Sequence, residues 1–176
     1  IVETYGFHGP GGEVCIEGQF LIPKGVESKV LYIIMHPTGN LNKLPMPLAL
    51  VRSGRHVLCA NSRYPYNDSS LIMEKVVKDL AEYIRYAKEV KNYEKVVLVG
   101  WSGGGSLSLF YQAQAENPTI THTPAGDEYN LKEQHLIPAD GVIFIAAHLS
   151  RAETLTEWLD PSVIDETNPD ARDLEF

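Results

Sequence analysis

The chain has 176 residues, of which 44% are hydrophobic and 22% are charged. These proportions are typical of a globular domain and exclude a disordered chain, a collagen and a coiled coil. The formal net charge is −8, and residues 153–176 hold eight acids against one base, which leaves the rest of the chain nearly neutral. Because phosphate binding requires a basic surface, we expect no nucleic-acid partner. No apolar run reaches the roughly 18 residues that a membrane helix needs, so we also expect no membrane span.

Strand-like and helix-like segments alternate along the first part of the chain. Residues 14–22 alternate apolar and polar side chains, which predicts a half-buried strand. Residues 30–35 form a continuous apolar run, typical of a strand covered on both faces. A short helix is expected over residues 45–53, closed by Gly54, and a third strand over residues 56–60.

The same alternation continues in the second part. Apolar residues at helical spacing predict a helix over residues 72–87, followed by a Val-rich strand at 95–99. A glycine-rich turn and a second helix come next, and the polar segment 119–138 then separates that helix from a fifth strand at 141–147. Strands that alternate with helices predict a mostly parallel sheet with helices on both faces.

The most informative motif is Gly100-Trp101-Ser102-Gly103-Gly104, which matches G-x-S-x-G between a predicted strand and a predicted helix. A serine hydroxyl is a weak nucleophile unless it is exposed and lies near a base. A sharp strand-to-helix turn exposes it at the carboxyl edge of the sheet, and the glycines leave room for the neighbouring chain. The glycines do not have the G-x-G-x-x-G spacing of a dinucleotide-binding motif. A phosphate-binding loop does not fit either, because no Lys follows Gly105. We therefore interpret Ser102 as a nucleophile.

With this motif in place, the sequence resembles the α/β-hydrolase fold family over nearly its whole length. The resemblance implies an antiparallel opening strand at 14–22 and a strand ending at His36 whose following loop helps to build an oxyanion hole. It further implies that Ser102 lies at the nucleophile elbow and that residues 141–147 form the next strand. Residues 61–64, Asn-Ser-Arg-Tyr, stand where the family often has an Asp-x-Arg-Gly loop.

The resemblance also implies roles for residues around the serine. The backbone N–H of Gly103 would hold the oxyanion together with that of Thr38, with Gly39 as a second choice, because Pro37 has no N–H. His36 is expected to bond the loop rather than to act as the base. Further residues that could line the site are Trp101 and His148.

The acid and the base of a triad are not apparent in these residues. In this family they follow the nucleophile, in the order acid then histidine, and the histidines after Ser102 are His122, His135 and His148. None of the three has a well-placed acid before it. Asp140, for example, precedes the predicted strand 141–147 and is therefore expected at the amino edge of the sheet, opposite Ser102. We therefore expect the fold to be incomplete in this chain, with residues 1–152 as the N-terminal part of the core and residues 153–176 as the acidic start of a cap. The acid and base would come from a C-terminal portion of the same hydrolase, within the same precursor or as a second chain.

The leading hypothesis is a serine hydrolase that cleaves a carboxylic ester, amide or related acyl bond, with no cofactor and no metal. Two alternatives stay open: an acyltransferase of the same fold, and a non-catalytic binding module that keeps the elbow glycines.

Cys15 and Cys59 form no disulfide or metal signature and both lie in strand-like runs, which favours buried thiols. No secretory signal opens the chain, so we expect a cytoplasmic protein, although a cleaved signal stays open because the first residue is not Met.

Overall fold

The computed structural model describes residues 2–3, 12–160, 162–165, 167–168, 170–173 and 175. The strands are β1 (Val2–Glu3), β2 (Gly12–Glu13), β3 (Gly18–Leu21), β4 (Val30–Met35), β5 (His56–Ala60), β6 (Lys95–Trp101) and β7 (Gly141–Ile145). The α-helices are α1 (Pro45–Arg52), α2 (Met73–Arg85), α3 (Gly103–Glu116) and α4 (Arg151–Leu159). A π-helical turn, Tyr86–Val90, extends α2, and a 3₁₀ turn, Leu131–Gln134, lies in the polar segment before β7.

Five of the strands form one sheet, in the order β3-β5-β4-β6-β7. The edge strand β3 is antiparallel to β5, and the other three pairings are parallel. Because parallel strands end at the same edge of a sheet, the loops after β4, β6 and β7 meet there. Those loops carry His36, Ser102 and His148.

Helices cover both faces of this sheet, as the alternating pattern predicts. On one face α2 and α3 pack against the strands, and their fully buried residues include Val76, Leu80, Ile84, Leu107 and Tyr111. On the other face α1 packs over a smaller cluster that contains Ile34, Val57, Cys59 and Val99. The continuous apolar runs of the central strands follow from this double burial.

The loop after β5 is tied down by a buried ion pair. The Arg63 guanidinium donates to the Asp79 carboxylate of α2 at 2.7 Å, and both side chains are almost fully buried. The neighbouring Ser62 hydroxyl donates to the Pro37 carbonyl. The loop after β5 therefore supports the loop after β4, which borders the candidate site.

The structure differs from the sequence-based expectation in two segments. Residues 14–17 lie outside β3, and Cys15 is exposed, so the prediction of a buried Cys15 thiol is wrong, whereas Cys59 is buried. The strand β7 ends at Ile145 rather than at Ala147, because Ala146 adopts φ 44° and turns the chain. The proposed boundary at residue 152 falls inside α4 and stays a prediction. No helix among the described residues is long and apolar enough to cross a membrane.

Candidate active site

Ser102 lies between the end of β6 and the start of α3. Its backbone has φ 54° and ψ −127°, a conformation that residues with a side chain rarely adopt. The turn directs the half-buried serine to the carboxyl edge of the sheet, directly before the first turn of a 14-residue helix. The Gly105 N–H of that turn donates to the Ser102 carbonyl at 2.9 Å. The N–H groups at the very start of a helix have no intrahelical partner and carry a partial positive charge.

Two glycines allow the elbow to pack closely against its neighbours. A Cβ atom on Gly104 would lie 2.3 Å from the Met35 carbonyl oxygen, and one on Gly105 would lie 2.2 Å from the Ala147 Cβ. Real Cβ atoms essentially never come so close. The start of α3 can therefore touch both the end of β4 and the turn after β7 only because these positions lack side chains.

The turn after β7 places His148 beside Ser102. The Ser102 N–H donates to the Ile145 carbonyl at 3.2 Å, and the His148 N–H donates to the Ser102 carbonyl at 3.1 Å. The His148 Nε2 consequently lies 3.0 Å from the Ser102 Oγ, within hydrogen-bond distance. The chain turns back toward Ser102 at Ala146, which has a positive φ. Alanine is not typical of such a turn, so the sequence does not indicate it.

His36 organises the loop after β4. Its Nδ1 accepts hydrogen bonds from the N–H groups of Thr38, at 3.2 Å, and of Gly39, at 2.8 Å. Burial, then the charges of Arg151 and His148, lower the pKa of His36 to about 4, so the ring is neutral at neutral pH. The bonds to Nδ1 then place the proton on Nε2.

The predicted oxyanion donors differ in how they are engaged. The Gly103 N–H belongs to the open first turn of α3, next to the Ser102 Oγ. The Thr38 N–H, by contrast, already donates to the His36 ring, so it would have to be shared with an oxyanion. The Gly39 N–H is held still closer to the same nitrogen. The pairing of Gly103 with Thr38 therefore stays a prediction, and Gly103 is the donor with fewer competing contacts.

Arg151 and Asp68 are two charged residues at the site that the sequence analysis did not single out. The Arg151 guanidinium forms an ion pair with Asp68, whose Oδ1 also accepts from the Thr38 hydroxyl at 3.1 Å. The Arg151 Nη1 lies 3.1 Å from where a Gly103 Cβ would be, and burial lowers the pKa of this arginine. The two residues of the pair are 83 positions apart, a separation over which local sequence patterns carry no signal, and Asp68 connects the pair to Thr38 in the His36 loop.

The remaining candidates lie elsewhere or at the rim. Trp101 is half-buried, with its ring centroid 6.5 Å from that of His36. Asp140 accepts from the N–H of Val96 and from Lys88, near the start of β6 and away from Ser102. His122 lies on an exposed bridge within the polar segment. Among the described residues no group of three or more His, Cys, Asp or Glu could hold a metal ion.

Comparisons with known proteins found similarity only to solved structures, at low sequence identity. No protein-family model matches the sequence, and no curated protein matches it. An alpha-beta serine hydrolase homologue from Coxiella burnetii is 19% identical, with a TM-score of 0.46 and coverage of 82% of this chain and 89% of that one. A dienelactone hydrolase from Anabaena variabilis is 17% identical, with a TM-score of 0.48 and coverage of 84% and 90%. A Bacillus cereus carboxylesterase is 15% identical, with a TM-score of 0.45 and coverage of 81% and 92%.

The strand order, the antiparallel edge strand and the positive φ at the serine of the strand-to-helix turn together decide the architecture. The chain has the α/β-hydrolase fold. The fold class predicted from the sequence is thereby confirmed. In this fold Ser102 lies at the turn between β6 and α3, and His148 follows the neighbouring strand β7 by three residues.

Proposed function

We propose that the protein is a serine hydrolase that cleaves a carboxylic ester, amide or related acyl bond through an acyl-enzyme on Ser102. One observation carries the proposal: the Ser102 Oγ lies on a strained turn, 3.0 Å from the His148 Nε2. A nucleophile within hydrogen-bond reach of an imidazole is the arrangement that activates a serine. No cofactor is needed for this chemistry.

The proposed reaction has two halves. In the first, the Ser102 Oγ attacks the substrate carbonyl carbon while the His148 Nε2 takes the hydroxyl proton. The Gly103 N–H stabilises the oxyanion, with Thr38 as the second donor once its N–H is shared with the substrate. His148 returns the proton to the leaving alcohol or amine. In the second half, water attacks the acyl-enzyme through the same groups and releases the acid.

The identity of the base separates two versions of this mechanism. In the first version, the order of triad residues in the α/β-hydrolase fold family implies an acid and a histidine on later strands. A C-terminal portion of the hydrolase would supply both. In the second version, the contact with Ser102 makes His148 the base.

We also propose that a further segment packs against β7. The exposure of three apolar side chains of this strand supports the proposal: Ile143, Phe144 and Ile145 are 40%, 51% and 38% exposed.

The direct test is hydrolysis of p-nitrophenyl butyrate by purified variants. Ser102→Ala should lose activity completely, and a variant that keeps it would overturn the serine hydrolase proposal. His148→Gln should lower kcat by about 10²–10⁴-fold, the usual contribution of a general base. His122→Gln, a change at an exposed histidine, should leave kcat unchanged. Full activity of His148→Gln would reject His148 as the base.

A further inference from the structure

A cavity of about 690 Å³ adjoins the elbow. It is bounded by the start of α2, one side of α3, residues 123–125 and the start of α4. Its volume lies within the range of roughly 300–1,000 Å³ that is usual for small-molecule sites. Most of its walls are apolar, and the apolar residues include Leu71, Ile72, Met73, Phe110, Leu149 and Leu155.

The cavity shares a wall with the candidate active site. Ser106, one turn of α3 beyond Ser102, lines it, and its hydroxyl donates to the Gly103 carbonyl at 2.9 Å. Arg151 and Asp68 also line it, and this ion pair reaches the Thr38 hydroxyl on the other side. A substrate whose carbonyl lies at Ser102 could therefore extend directly into this space.

One lining residue does not fit an apolar pocket. Glu74 is only 6% exposed, and its Oε2 is buried with no hydrogen-bond partner among the described residues. A buried polar atom that lacks a partner destabilises the folded chain, and more so when it is charged. Glu74 lies in the first turn of α2, where the helix dipole favours a negative charge. The dipole does not supply a hydrogen-bond donor to the buried carboxylate oxygen.

We propose that this cavity binds the apolar portion of the substrate and that Glu74 accepts a hydrogen bond from a donor, an ammonium or a hydroxyl group, on that portion. The assignment rests on the proposed function for its link to Ser102. The binding itself does not require catalysis. The ligand class is thus a short aliphatic chain that ends in an amine or an alcohol.

The test measures binding of hexylamine, 1-hexanol and hexanoate by isothermal titration calorimetry or NMR titration. For the unchanged protein we expect the amine to bind at least about tenfold more tightly than hexanoate, since a hydrogen bond to a charged group is among the stronger ones. The alcohol should fall between them. Equal affinities, or preference for hexanoate, would overturn the proposal.

Three variants tie the preference to Glu74 and to the cavity. Glu74→Leu should remove the preference for the amine, and Glu89→Gln, at an exposed glutamate in the π-helical turn after α2, should keep it. Ala125→Trp, at the exposed rim, should weaken all three ligands. A Glu74→Leu variant that is folded by circular dichroism and still prefers the amine would contradict the assignment.

The thermal midpoint gives a second readout for Glu74. If the buried carboxylate serves a ligand, Glu74→Leu should keep or raise Tm. A lower Tm together with unchanged ligand selectivity would assign Glu74 a structural role and overturn the proposal. Labelling of Ser102 by a fluorophosphonate probe is measured separately, so loss of ligand preference and loss of the nucleophile are distinguishable.

Discussion

The backbone of Ser102 adopts a conformation that its own side chain disfavours. Backbone strain of this kind costs on the order of 1–3 kcal/mol and is common where a catalytic group must be held in one orientation. Glycine accepts the same φ of 54° without a Cβ clash. The strain at Ser102 should therefore be measurable as a change in the free energy of unfolding.

We predict that Ser102→Gly is more stable than Ser102→Ala by about 1 kcal/mol, because alanine keeps the Cβ and glycine removes it. Urea denaturation monitored by circular dichroism measures the free energy of unfolding of both variants. Both should be inactive. A Gly variant that is less stable than the Ala variant would show that the turn is not strained.

His36 provides a prediction about pH. Its pKa is about 4 in the folded chain and about 6.5 when exposed. Between these values the unfolded chain binds the proton and the folded chain does not, so stability rises with pH across this window and is lost as pH falls. Because the His36 ring is partly exposed and screened by solvent, the loss from pH 6.5 to 4.5 should be about 1 kcal/mol.

The measurement compares urea unfolding of the unchanged protein, His36→Gln and His122→Gln over that pH range. His36→Gln should have a flatter pH dependence, because the titrating ring is gone. His122→Gln, at an exposed histidine, is the matched control and should follow the unchanged protein. Identical slopes for all three proteins would contradict a buried neutral His36.

At the scale of elements, the elbow depends on the contact between α3 and the end of β4. We predict that Gly104→Ala destabilises the protein by about 3 kcal/mol or more, because the new Cβ would lie 2.3 Å from a backbone oxygen. Gly141→Ala in β7 is the matched control, since its Cβ would lie 3.8 Å from Val97 in ordinary contact. Thermal unfolding measures both, and similar Tm values would contradict the close packing.

Local patterns in the sequence were sufficient to predict most elements and the strand-to-helix turn at Ser102. The apolar runs of β4, β5 and β6 reflect double burial, and the glycines around Ser102 reflect close packing. The contact between His148 and Ser102 was not predicted, since it depends on a left-handed Ala146. The ion pair of Arg151 with Asp68 and the burial of Glu74 depend on tertiary packing between distant segments.

At the scale of the whole molecule, β7 is an edge strand with exposed apolar side chains. Such an edge pairs readily with other chains. We predict that the 176-residue chain self-associates at micromolar concentration and that Phe144→Lys reduces this association. Leu109→Lys, on α3 at a comparable exposure of 45%, should have less effect. Sedimentation velocity measures the species, and a protein that stays monomeric would argue against a further segment on this edge.

Covalent labelling shows directly whether Ser102 is an activated nucleophile, as we propose. Folded protein is treated with a fluorophosphonate probe, and intact mass followed by peptide mapping locates the adduct. We expect one adduct, on Ser102, none in Ser102→Ala, and slower labelling of His148→Gln. Folded protein that takes up no label, or that is labelled equally well after Ser102→Ala, would contradict the proposal.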